Sequence, residues 1–243
     1  MTAPVEASLL YCSAVVFFAA TAHGLTGFGS ALIAMPLLLL RLDIGTAAPL
    51  VALLTLTVNV AFLFRFRAAL DPGRIVHLLA GSVVGIPAGI LFLRRGDPRL
   101  LEIVLGMILV AYALHALFGG RGVPKVRGRG AFLLGTVSGF LGGAINTAGP
   151  PAVVYAASQS WSKEEIHVTL QLYFILAGLI IAAGHFLSGL TTGAVIRQYT
   201  VLVPALLTGC DVGYALHTKV SQDLYRRLVY VLLAGLGILL LVR

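Results

Sequence analysis

The feature that most constrains this chain is an apolar run from Ser8 to about Leu40, roughly 33 residues, interrupted at its middle by His23-Gly-Leu-Thr-Gly-Phe-Gly-Ser30. As one helix rising 1.5 Å per residue it would far exceed a hydrocarbon core ~30 Å thick. The segment must break or double back. A second copy supports this reading: Gly24 and Gly27 are echoed by Gly139 and Gly142, and Pro36 by Pro151, all at one offset of 115 residues.

In lipid an unpaired backbone N–H or C=O costs several kcal/mol, so irregular backbone survives at membrane depth only where protein buries it or where it lines a wet cavity. Glycine permits tight positive-φ turns and proline deletes a donor. Matched interruptions in two halves of a membrane chain point to a substrate site between them.

Composition agrees with a polytopic membrane protein: 59% of residues are hydrophobic, 11% are charged, and the mean hydropathy is +1.00. Residues 1–12 hold no Lys or Arg, so the first run lacks the basic start of a cleaved signal peptide and is expected to be retained. The net charge of +8 comes from basic residues scattered through short loops, which suits membrane orientation and gives no nucleic-acid surface. Cys12 and Cys210 stand alone in apolar runs and read as packing residues, with neither metal nor disulfide spacing.

Eight long apolar segments follow one another, and the fold class expected is an all-α polytopic membrane protein made of two repeats of about four segments each. Residues 1–118 form the first repeat, 119–130 a basic linker and 131–243 the second, each repeat opening with a broken helix. The third segment carries Gly81, Gly85 and Gly89 at every fourth position, the spacing that lets transmembrane backbones approach closely. Ser162 and Glu165 have capping-box spacing, and Trp161 suits an interface anchor.

Orientation follows from the 17 Lys and Arg residues. If each broken segment crosses once, they divide 9 to 8, with no bias; if each turns back, one side receives 11, including Arg65, Arg67, Arg121 and Lys219, against 6. Cytoplasmic loops carry the excess, so the second arrangement is favoured. Each half then holds an odd number of passes, the repeats are inverted, and both termini lie outside.

The site candidates follow from the breaks. A half-helix starting at a break offers unsatisfied N–H groups and the positive end of its dipole to an anion. Gly24, Gly27, Phe28, Gly29, Gly139, Gly142, Gly143 and Gly149 frame the two breaks, and Thr26, Ser30, Asn146 and Thr147 are the side chains there that can donate hydrogen bonds. Asn59 and Gln171 are secondary cavity candidates, read first as ties between helices. His23, at the first break, and Asp211, in the last third of an apolar run, are candidates for proton coupling. The alternative is that the glycines only let helices pack.

Gly-Phe-Gly-Ser-Ala-Leu-Ile-Ala-Met-Pro at 27–36, the Arg65-x-Arg67 loop followed by Asp71, and the glycine-rich second copy before Pro150-Pro151 together resemble the TauE/SafE sulfite exporter family, also called the sulfonate uptake permeases. The resemblance covers nearly the whole chain. It implies a multi-pass protein of the bacterial inner membrane that moves sulfite or an organosulfur anion, or else a carboxylate, by alternating access. No cofactor or metal is implied; the partners are the anion and the bilayer, with a homodimer left open. The competing class is an intramembrane enzyme with Ser30 as nucleophile and His23 as base, which has no echo in the second half.

Overall fold

A computed structural model describes residues 3–63, 71–118, 125–216 and 222–242. The Arg65–Arg67 loop, residues 119–124 of the linker with Arg121, and the turn bearing Lys219 lie outside them. Apart from a 3-10 turn at Pro72–Arg74, every regular element among the described residues is an α-helix: α1 Ala3–Thr26, α2 Ser30–Leu38, α3 Ile44–Leu63, α4 Val76–Arg95, α5 Pro98–Phe118, α6 Arg129–Ile145, α7 Gly149–Ala157, α8 Lys163–Leu187, α9 Gly193–Leu216 and α10 Gln222–Val242. Six of them (α1, α3, α4, α5, α8 and α9) are long and apolar enough to cross a membrane. The chain is thus an all-helical, multi-pass membrane protein.

Close packing is set by glycine. On α4 a side-chain carbon at Gly81, Gly85 or Gly89 would overlap the carbonyl oxygens of Phe132, Thr136 and Phe140 on α6. Reciprocally, Gly135, Gly139 and Gly143 of α6 lie against the backbone at Leu78, Ser82 and Ile86. Both series ascend together, so the two helices run parallel along a six-glycine seam. In hydrocarbon, where no hydrophobic force joins helices, this backbone proximity supplies the dispersion and weak hydrogen bonding that hold them. α1 and α9 meet in the same way, with Gly209 on Phe17, Gly213 on Thr21 and Gly24 on Cys210. They too are parallel.

Two further pairs run antiparallel. Gln171 of α8 donates to Asn59 of α3, while farther along α8 Gly178 lies against Leu56 of α3. In the second pair, Arg99 at the start of α5 donates to Leu240 O and Leu241 O near the end of α10, satisfying carbonyls that the helix end leaves open, and Tyr112 near the end of α5 meets Tyr230.

Both short helices double back on the helix before them. The Tyr11 hydroxyl on α1 donates to Leu37 O near the end of α2, although Leu37 lies 26 residues farther along the chain. Likewise the Val126 N–H, just before α6, donates to Ser158 Oγ at the end of α7. The ends of α1 and α6, the starts of α2 and α7 and the ends of α2 and α7 are each 119 residues apart: Thr26 and Ile145, Ser30 and Gly149, Leu38 and Ala157. This spacing differs from the glycine offset of 115 by about one helical turn, and Gly139 and Gly142 lie inside α6 and not at its end.

One polar cluster joins segments from the two parts of the chain. Arg74 forms ion pairs with Asp71 (3.1 Å) and Glu165 (2.6 Å), lies over the Trp161 ring, and its carbonyl accepts from the Tyr155 hydroxyl. The Glu165 hydrogen bond holds the Arg74 guanidinium above its ordinary pKa range. Glu165 also completes the Ser162 capping box at the start of α8.

Candidate functional site

The two reversals are built from different residues with one backbone habit. Gly27 (φ 81°) and Gly29 (φ 94°) turn the chain between α1 and α2, whereas between α6 and α7 the left-handed residue is Asn146 (φ 55°). Asn, whose short polar side chain can bond locally, is among the few residues that enter this region. Here Asn146 Nδ2 donates to Ala48 O on α3 at 2.5 Å, which anchors the turn.

The helices that leave these turns start uncapped. The residue before α2 is Gly29 and the residue before α7 is Ala148, and neither start has a side-chain hydrogen bond to its first turn. First-turn N–H groups have no intrahelical acceptor, so in a membrane they need a partner from elsewhere. Pro150 and Pro151, in the first turn of α7, have no N–H, so Gly149 is the first helical residue there that can donate.

Both starts border one cavity of about 70 Å³, to which Gly29, Ser30, Asn146, Ala148 and Gly149 all contribute. Its other walls include Thr55 and Asn59 of α3, Phe174, Ala177, Gly178 and Ile181 of α8, Ala31 and Leu32 of α2, and Phe28 and His23. His23 Nδ1 lies 3.0 Å from Ser30 Oγ, its ring meets Phe62 edge-on, and its Nε2 is buried without a hydrogen-bond partner. No Lys or Arg is among the lining residues described. The arrangement offers hydrogen-bond donors and two helix dipoles without a fixed cationic side chain.

Ser30 and His23 are the pair an enzyme would use as nucleophile and base, and they are within hydrogen-bond reach. The partnerless Nε2 leaves the imidazole without the third group that fixes the tautomer in hydrolytic triads.

Several expected residues lie elsewhere. Gly24 packs on α9, Gly139 and Gly143 on α4, and Gly142 sits in the last turn of α6, facing Ile181 and Ala148. For these four, helix packing is the role the structure provides. Gly27 is beside the His167 ring. The Thr26 hydroxyl is within reach of Ala22 O and Phe28 O, and Thr147 is fully buried, donating to Ile145 O. Gln171 ties α8 to Asn59 behind the cavity wall. Asp211 is on an exposed part of α9 and does not line the cavity.

Sequence reasoning missed Thr55 and Phe174, and also a buried chain that braces the second turn. The Tyr173 hydroxyl lies 2.7 Å from both Ser82 and Ser138, and Ser138 donates to Ala148 O at 2.6 Å. Three hydroxyls on α4, α6 and α8 thereby fix the residue from which α7 starts.

A multi-pass helical chain with two reversed short helices meeting at one cavity is built as a membrane transporter is built. The chain belongs to the sulfite exporter TauE/SafE family, which it matches over residues 12–240 of its 243. That is a family of membrane transporters. Neither a curated protein nor a solved structure matches it.

Proposed function

We propose that this protein carries a compact sulfur oxyanion, of which sulfite is the type, across the bacterial inner membrane by alternating access around the cavity between α2 and α7. The observation that carries the reading is the pair of uncapped helix starts on one cavity, with buried His23 and Ser30 among its lining residues. An anion there would receive first-turn N–H groups and the positive ends of two dipoles. Ser30 and His23 add to this: where His23 Nδ1–H donates to Ser30 Oγ, the Ser30 hydroxyl proton remains for the cavity. A buried anion without a fixed cation needs such a set of donors, because desolvation is otherwise prohibitive.

The inverted duplication belongs to the same proposal. With α1 and α9 parallel, α4 and α6 parallel, and α3 antiparallel to α8, the pairings exchange when the first half is swapped for the second. A two-fold axis in the membrane plane would relate them, which supports the 11 to 6 placement of basic residues with the linker cytoplasmic. The transport reading also uses the Ser30–His23 contact without requiring the orienting group that a hydrolase needs.

The test is a thermal-shift screen of purified protein against sulfite, sulfate, thiosulfate, taurine and acetate. A ligand at a hundred times its dissociation constant adds ~2.7 kcal/mol to stability. Sulfite should give the largest upward shift, and a flat response to every anion would refute the reading.

A further inference from the structure

The first turn separates two cavities. Besides the one between α2 and α7, a smaller cavity of about 30 Å³ lies on the other side of the turn, where Thr26 and Ala22 face Tyr112 of α5 and Tyr230 of α10. Phe28, Gly29 and Leu32 line both. Leu32 is buried within α2, so the Phe28 side chain, partly exposed and between the two helices, is the bulky part of the shared wall that no helix holds.

Its backbone is unusual in a way that suits movement. Gly27 and Gly29, immediately before and after Phe28, both sit at positive φ (81° and 94°), where glycine moves among conformations closed to other residues. A side-chain carbon at Gly29 would meet nothing within 4 Å, so this glycine is required by its dihedral and not by crowding. Gly27, by contrast, is also confined by the His167 ring. The segment has one side-chain hold: Thr26 Oγ1 is 2.7 Å from Phe28 O and 2.8 Å from Ala22 O. A hydroxyl has one hydrogen, so Thr26 can donate to its own helix or to the Phe28 carbonyl, and the choice releases or holds the turn.

We propose that the smaller cavity is a second compartment on the path of the transported oxyanion, and that Phe28 is the partition between it and the binding cavity, pivoting on Gly27 and Gly29 and latched by Thr26. Only the identity of the passing ion rests on the anion-transport reading. The partition itself is a property of the turn. Two glycines flanking a single aromatic residue give local rotation without moving α1 or α2, which are held by Tyr11 on Leu37 and by the contact of α1 with α9.

The experiment reads the partition without sulfite. In a Cys12→Ala, Cys210→Ala background reconstituted in liposomes, Thr55→Cys reports the binding cavity and Ala22→Cys the second compartment, each challenged from one face with a charged methanethiosulfonate. With Phe28 in place, reagent on a given face should label one of the two positions. Phe28→Ala, with Phe28→Leu as the milder variant, should let the other react from that face roughly tenfold faster, and Thr26→Val should shift labelling in the same direction. Unchanged labelling in all three variants would overturn the proposal. A second arm uses sulfite: Thr26→Val, outside the binding cavity, should change its flux roughly tenfold while its dissociation constant stays within about threefold, a shift of less than ~0.7 kcal/mol. Loss of affinity in step with flux would make the turn a plain wall of the binding cavity and overturn the partition. A wild-type protein that binds no sulfite but shows the labelling change refutes the anion and leaves the partition standing.

Discussion

Replacing Gly85 by alanine places one carbon where the Thr136 carbonyl and the Phe140 N–H of α6 already stand, and neither is a flexible side-chain end that can swing away. The helices must separate, and separation also opens the contacts at Gly81 and Gly89, one turn to either side. Overpacking of this kind costs about 1–3 kcal/mol, and the upper end is expected because the obstacle is backbone. Gly142→Ala is the intermediate case: its carbon would meet Ile181 Cδ1 at 2.8 Å, a terminal methyl that can rotate, and Ala148 Cβ at 3.1 Å. Gly193→Ala is the control, since nothing lies within 4 Å and the residue starts α9, so the change should stay within about 0.5 kcal/mol. Equilibrium unfolding in mixed micelles should therefore rank the losses as Gly85, then Gly142, then Gly193. Sulfite affinity measured on the folded fraction of Gly85→Ala should match wild type within about twofold. A Gly85→Ala protein as stable as Gly193→Ala would refute the seam as the element joining α4 to α6.

Three further outcomes are expected. Asp211→Asn should retain gradient-driven transport in proteoliposomes, since Asp211 lies on an exposed part of α9 away from the cavity lining; abolished transport with binding intact would make it the proton carrier. Cysteine labelling at Gly120 and at Val242 should report opposite faces of the membrane, and both on one face would refute the inverted arrangement. Ser138→Ala removes the hydroxyl that holds Ala148 O and leaves the Tyr173 hydroxyl with Ser82. It should cost about 1–3 kcal/mol of stability and weaken sulfite binding, and unchanged affinity would show that the start of α7 is placed by other contacts.

Much of the fold is legible in the sequence because membrane helices announce themselves by length and apolarity. The 33-residue run is too long for one crossing, and α1 ends at Thr26 and α2 starts at Ser30, with Gly27 and Gly29 at positive φ between them. The spacing of Gly81, Gly85 and Gly89 reads as helix packing, but spacing alone names no partner, and the partner is the second glycine-rich segment itself. That packing draws Gly139 and Gly143 away from the turn. Gly139 and Gly143 look like a turn motif by analogy with the first half, yet they face α4, and the turn falls at Asn146, where an amide side chain and not glycine takes the left-handed conformation. The Ser82–Tyr173–Ser138 chain carries no sequence signal, since its three members lie on separate helices and each is unremarkable in its own segment.

The central claim is that one anion is held between the starts of α2 and α7, and calorimetric titration of sulfite into wild type and Gly149→Val tests it most directly. Gly149 lines the cavity at the start of α7, a Cβ there would have nothing within 4 Å, and its φ is not positive, so an added side chain enters open space beside the α7 N–H groups. Losing one hydrogen bond to a charged ligand costs about 1.5–3 kcal/mol, or roughly tenfold and more in affinity. The account predicts one sulfite per chain in wild type and at least that loss in Gly149→Val with the melting temperature retained; equal sulfite affinity in the two proteins would contradict it.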